Sequence, residues 1–309
     1  MMSEQAVISL EGVRRSYGGA YGGGFELGPI NLEIEPGHIV AVVGPNGAGK
    51  STLFGILMGL IHPDSGDVSL FGRTFPQDEV EIKRRVSYVP ERAEGHDEMS
   101  ANALGKFISH WYPHWNEELY RDLLMRYEVD PYKKFGELSR GVQRRLSFAL
   151  ALAASPDLLL LDEPTAGVDP FGRKKVLEDI SRFVHRDAGV KTVVFATQVM
   201  EEARRIADHV VLLADGKSLG LHEKGALLAL LDRWKTFWVE GEPGADVPGV
   251  VEIEAGSPTR IVAHSPDETA EWFSSRNVRI VREGSVDLET VFSHLSRAGA
   301  QGGAEREQQ

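Results

Sequence analysis

Five apolar residues at 39–43 (IVAVV) run straight into GPNGAGKST at 44–52, and apolar spacing suited to a helix continues to Leu60. A buried strand that turns through a glycine-rich loop into a helix confines the chain to an α/β architecture and builds a cradle for nucleotide phosphates. The loop comprises Gly44, Pro45, Asn46, Gly47, Ala48, Gly49, Lys50, Ser51 and Thr52. Its glycines let the backbone bend until N–H groups converge on phosphate oxygens, with the positive end of the new helix aimed at the same point. Lys50 is predicted to reach the β- and γ-phosphates, and Ser51 to place a hydroxyl on Mg²⁺. ATP or GTP is therefore the first ligand to consider.

The 309 residues can bury one large domain plus a smaller one, or two of moderate size. A net charge of -12 argues against a nucleic-acid surface as the main purpose. Zero cysteines remove disulfides, thiol nucleophiles and cysteine metal sites. No apolar run approaches the roughly 20 residues needed to span a bilayer. The first residues, MMSEQAVISLEG, lack a basic flank followed by an apolar core. The chain is thus expected to be cytoplasmic unless a partner holds it at a membrane.

A second apolar run, LLLLDEP at 158–164, delivers Asp162 and Glu163 to a strand end, where ligands collect in parallel α/β sheets. Asp162 is the expected Mg²⁺ carboxylate, and Glu163 is predicted to orient and deprotonate an attacking water. Acidic strand ends also occur for purely structural reasons; the phosphate loop favours the functional reading. His110 and His114 stand four apart, but Pro113 breaks the helix that would align them as a metal pair.

Between these motifs lies LSRGVQRR at 138–145, where Ser139 is predicted to cap a helix through 143–154. In order and spacing, GPNGAGKST, LSRGV, LLLLDEP and AGVD resemble the ATP-binding cassette (ABC) transporter ATPases, over about residues 6–230. The resemblance implies an α/β fold: a P-loop cassette with a mixed sheet, an antiparallel β subdomain and a helical subdomain. It implies ATP and Mg²⁺ as cofactors, a second cassette subunit that sandwiches two ATP, and separate transmembrane permease subunits, with the chain peripheral on the inner face of the membrane. It makes Tyr17 the adenine-stacking aromatic, with Tyr21 a competing candidate. Ser139 and Gly141 would close over the partner's ATP, and Asp169 would touch the partner's phosphate loop.

Several positions depart from the family pattern. Arg140 and Val142 stand where the signature has glycine and glutamine. Gln198 follows the strand expected at 192–196 where the family has a histidine that donates to the γ-phosphate. An amide can donate but carries no charge. Glu91, in VSYVPER, replaces a glutamine that joins Mg²⁺ and water to the permease; glutamate keeps an oxygen ligand and adds charge.

The expected organisation is a cassette at 5–231 with a helical subdomain at about 95–154, an α+β domain at 232–297 and a disordered tail at 298–309. In the insert, Leu104, Phe107 and Ile108 recur on one helical face and Asn116 caps the next helix. After Trp234, strands are expected near 237–240, 250–253, 261–264 and 278–281, with helices at 268–274 and 288–295. The last segment, VDLETVFSHL, resembles an accessory domain of bacterial efflux ATPases, which tilts the expectation toward export. An ATP-binding regulatory subunit with weak chemistry is the alternative, motivated by Gln198. A soluble cassette acting in DNA repair or translation lacks the long coiled coil, second cassette and charge it would need.

Overall fold

A computed structural model describes residues 6–18, 24–92, 97–185, 191–241, 243–244, 246–286, 290–291 and 294. An antiparallel sheet begins the chain with β1 (Ile8–Tyr17) and β2 (Phe25–Ile34); after β3 (Ile39–Val43) and α1 (Lys50–Leu57), β4 (Ser65–Leu70) completes it in the order β2-β1-β4. Alternate residues such as Ile8, Leu10, Leu32 and Ile34 point into one core that also takes Leu53 and Phe54 of α1.

Helix α2 (Glu79–Arg85) leads to β5 (Val86–Val89), followed by α3 (Ala101–Ser109), α4 (Glu117–Arg126) and α5 (Arg140–Ala153). Asn116 caps α4 as predicted, its side chain accepting from Leu119 N–H at 2.9 Å, and Ser100 caps α3 in the same way. Leu104 is buried, whereas Phe107, expected on the same packed face, is 46% exposed. Ser139 occupies the N-cap position of α5, but its hydroxyl makes no capping bond; only its carbonyl receives the first-turn amides of Val142 and Gln143.

Then come β6 (Leu158–Asp162), α6 (Pro170–His185), β7 (Thr192–Thr197), α7 (Met200–Ile206), β8 (His209–Ala214) and β9 (Lys217–Glu223). The central sheet has the order β5-β6-β7-β3-β8-β9, parallel from β5 through β8. Every residue of β3, β6 and β7 is buried, the pattern of parallel strands covered on both faces. Asp215 and Gly216, both left-handed (φ 48 and 74), make the tight turn into β9.

Packing divides the chain into Met1–His222 and Glu223–Gln309. That division falls one helix before the boundary expected near Leu231, because Leu231 at the end of α8 (Lys224–Leu231) packs against Trp234 and Val262 of the second unit. The second unit is an antiparallel sheet of β10 (Lys235–Val239), β11 (Val250–Glu254), β12 (Thr259–Ala263) and β13 (Ile280–Ser285), ordered β11-β12-β10-β13, with α9 (Pro266–Ser275) between β12 and β13. Phe237, Ile261 and Phe273 form its core. Apart from residues 290, 291 and 294, the helix expected at 288–295 and the tail at 298–309 lie outside the described residues, as does Tyr21. Among the described residues, no helix is long and apolar enough to cross a membrane.

Candidate functional site

The carboxyl ends of β3, β6 and β7 lie level, with Val43 paired to Thr197 and Asp162 to Ala196. The loop at 44–49, the Asp162-Glu163 pair and Gln198 therefore leave the sheet at one rim, where parallel sheets gather ligands. The Gly44 amide donates to the Thr197 carbonyl at 3.2 Å. An ideal Cβ at Gly44 would lie 1.9 Å from the Leu213 carbonyl oxygen, so the loop can start here only on a glycine. Gly49 then enters α1 at φ 104.

Lys50 is buried and curls back so that Nζ donates to the carbonyls of Gly44 (2.7 Å) and Pro45 (3.0 Å). The same ammonium stands 3.3 Å from Oε1 of Glu163. Glu163 itself is left-handed, at φ 48, a conformation costing a non-glycine residue on the order of 1–3 kcal/mol and kept where surrounding bonds dictate it. Its N–H donates to the Ala196 carbonyl and its carbonyl accepts from the Ala166 N–H, each at 3.0 Å. Glu163 Oε1 is buried against the Lys50 ammonium, and Asp162 Oδ1 is buried with no hydrogen-bond partner among the described residues.

Burial raises both carboxyls above the ordinary carboxylate range. For Asp162 the rise is opposed by a hydrogen bond from the Ser51 hydroxyl and reinforced by the charge of Glu91. For Glu163 it is opposed chiefly by the Lys50 ammonium, with help from the backbone amide of Gln198. Oxygen donors from Ser51 and Asp162, the latter with one buried oxygen unsatisfied, fit a hard divalent cation such as Mg²⁺ that draws its other ligands from phosphates and water.

These groups line one cavity of about 540 Å³ together with Tyr17, Phe25, Asn46, Gly47, Gly49, Thr52 and Glu91. Ala48 is buried beneath the loop, and its amide turns back to the Pro45 carbonyl at 3.3 Å. Tyr17 and Phe25 present their rings 6.3 Å apart, and the Arg15 guanidinium sits 5.1 Å from the Tyr17 ring. Phe25 has no motif around it in the sequence, because it directly follows the glycine-rich run GGAYGGG at 18–24. Its phase with buried Leu27 in β2 was the available signal.

Gly44, Pro45 and Ala48 of the loop do not line this cavity, and neither do Gln198, Ser139, Gly141 and Asp169. The Gln198 side chain is exposed, and only its main chain turns to Glu163. Ser139 and Gly141 lie at the start of α5, where a Cβ on Gly141 would come 3.4 Å from the Gly167 carbonyl. Asp169 accepts from the amides of Phe171 (3.1 Å) and Gly172 (2.9 Å), entering α6 as a cap, and meets Arg145 at 3.3 Å. The Gly172 bond leads the effects that hold its exposed carboxyl below the usual range.

A phosphate loop on the central strand of a parallel sheet, with a buried lysine against an acidic strand end, defines the nucleotide-binding P-loop class. The family model described as "ABC transporter" matches residues 27–166. The Nod factor export ATP-binding protein I of Burkholderia thailandensis is 32% identical over 237 residues, spanning 75% of this chain and 72% of that one. The choline transport ATP-binding protein OpuBA of Bacillus subtilis is 28% identical over 292 residues, covering 92% and 66% respectively. The dimeric cassette MJ0796, solved in a post-hydrolysis state with ADP and Pi, matches with a TM-score of 0.61 at 24% identity, over 70% of this chain and 98% of that one. The chain belongs to the ABC transporter ATP-binding family: it is an ATP-binding cassette ATPase subunit of a transporter.

Proposed function

We propose that this subunit pairs with a second cassette, sandwiches two ATP, and drives export through separate membrane subunits that hold it on the inner face of the membrane. One observation carries the reading: Lys50 and Glu163 face each other at 3.3 Å in the cavity that also holds Ser51, Asp162 and Tyr17. Tyr17, with Phe25, takes the adenine face. The loop amides of 44–52 and Lys50 hold the phosphates, with Lys50 moving from the Gly44 and Pro45 carbonyls onto the β- and γ-phosphate oxygens. Glu163 accepts a proton from the attacking water. Ser51, Asp162 and Glu91 would hold Mg²⁺, which when bound neutralises charge on the transferred phosphoryl group.

Ser139, Gly141 and Asp169 lie outside this cavity, at the starts of α5 and α6, which suits contact with the nucleotide and loop of a second copy. The domain at 232–297 serves as the accessory element; the export ATPase among the relatives supports that direction. Reconstituted in lipid vesicles with its co-purified membrane subunits, the chain is expected to turn over ATP faster than alone and to move cargo out of the compartment corresponding to the cytoplasm. Failure to retain any membrane protein, or uptake in place of export, contradicts this.

A catalytically weak regulatory subunit is the second reading, favoured by the exposed Gln198 side chain. Charge-assisted hydrogen bonds contribute about 1.5–3 kcal/mol and neutral ones about 1. Gln198→His is therefore expected to raise kcat about tenfold. An unchanged rate in steady-state phosphate release would mean that position 198 contributes no side-chain bond to the reaction.

A further inference from the structure

Arg144 is charged yet 7% exposed, and it belongs to none of the roles above. It lies on α5, one turn after Arg140, in phase with buried Phe148, Ala151 and Leu152. Its guanidinium binds three main-chain carbonyls from two other segments. Nη1 donates to the carbonyl of Glu91; Nη2 donates to those of Asp162 and Glu163. Nε is buried without a partner among the described residues. Asp162 at the end of β6, Glu163 just after it and Glu91 after β5 thus have their backbones tied to one side chain.

We infer that Arg144 is a positioning residue for ATP hydrolysis: it fixes the left-handed turn that presents Glu163 and sets the Glu91 loop against it. The left-handed φ of 48 at Glu163 requires surrounding bonds to hold it. The charged donor on its carbonyl is the strongest kind available to a backbone oxygen. A planar guanidinium can span diverging acceptors with separate nitrogens; a lysine ammonium concentrates its three donors on one atom. Arg144 also lines a cavity of about 560 Å³ with Glu91, Arg92, Arg140, Gln143 and Gly167. A shift in the first turn of α5 is therefore transmitted directly to the carbonyls that orient Glu163 and Glu91. The inference rests on Glu163 being the base, and it adds the residue that aims it.

The test compares Arg144→Lys and Arg144→Met with wild type and Glu163→Gln, using the purified full-length chain and Mg²⁺-ATP. Misplacing a reacting group by about 1 Å costs on the order of 10²-fold. Arg144→Met is expected to lose about that much kcat, and Arg144→Lys about tenfold, with KM for ATP within about threefold of wild type. In the Glu163→Gln background, Arg144→Lys should lower the residual rate no further, because the group being aimed is already gone. Wild-type kcat in both single variants overturns the inference. So does a multiplicative loss in the double variant, or unfolding of both variants at temperatures where wild type is folded, which would assign Arg144 to stability alone. If Glu163→Gln itself keeps wild-type kcat, the base assignment fails first, and that is a separate result.

Discussion

Glu163→Gln is expected to lower ATP turnover by about 10²–10⁴-fold, the contribution of a positioned general base, while ATP affinity stays near wild type. The amide has the shape of the carboxylate and suits the same left-handed turn at φ 48, so the proposed nucleotide contacts of Tyr17, the loop amides and Lys50 are expected to persist. What disappears is the carboxylate that stands 3.3 Å from Lys50, the proposed acceptor of the water proton. With the chemical step blocked, the ATP-bound pair proposed above should accumulate, so sedimentation with ATP should show a dimer that wild type forms only transiently. A variant that hydrolyses ATP at the wild-type rate would move the base elsewhere in the cavity, with Glu91 the next carboxylate in line.

The second large effect is expected from Lys50→Met, which keeps much of the aliphatic stem and removes the charge. Removing one positioned electrostatic donor to a developing negative charge costs about 10²–10³-fold in kcat. A second consequence follows from the pair itself. Burial raises the Glu163 carboxyl, and the Lys50 ammonium is the main influence lowering it. Without Lys50 the carboxyl rises further. With Glu163 as the proposed base the deprotonated form is the active one, so turnover in wild type is expected to fall as pH drops through a value above the usual carboxylate range, and in Lys50→Met to begin that fall at higher pH. The pH profile of kcat checks both signs. An acid limb in the variant that coincides with wild type would show that Lys50 does not act on Glu163.

How much of this could be read from the sequence depends on the range of the interactions involved. The strand-loop-helix at 39–60 and the acidic end of 158–164 were readable because burial on both faces demands continuous apolar runs, and a phosphate loop demands glycines at fixed positions. The caps and the strands of the second unit likewise follow from local chemistry, as at Asn116 and in β10 to β13. Contacts between distant segments were not readable. Phe25 meets Tyr17 only because β1 and β2 pair in the register Tyr17 to Phe25. Arg144 looks like one more cation in LSRGVQRR until α5 brings it against the ends of β5 and β6. Ser139 had the right residue type for a cap, yet only its carbonyl serves the first turn. Phe107 had the right spacing for the core but lies largely outside it. At Gln198 the main-chain amide, which any residue would supply, is what reaches Glu163.

The most direct test of the central claim is steady-state phosphate release from Mg²⁺-ATP by the purified chain at neutral pH, with Glu163→Gln measured beside it. Wild type is expected to turn over ATP clearly, and the variant at least about 10²-fold more slowly. Wild-type turnover no faster than that of Glu163→Gln, in a chain that still binds ATP, would contradict it.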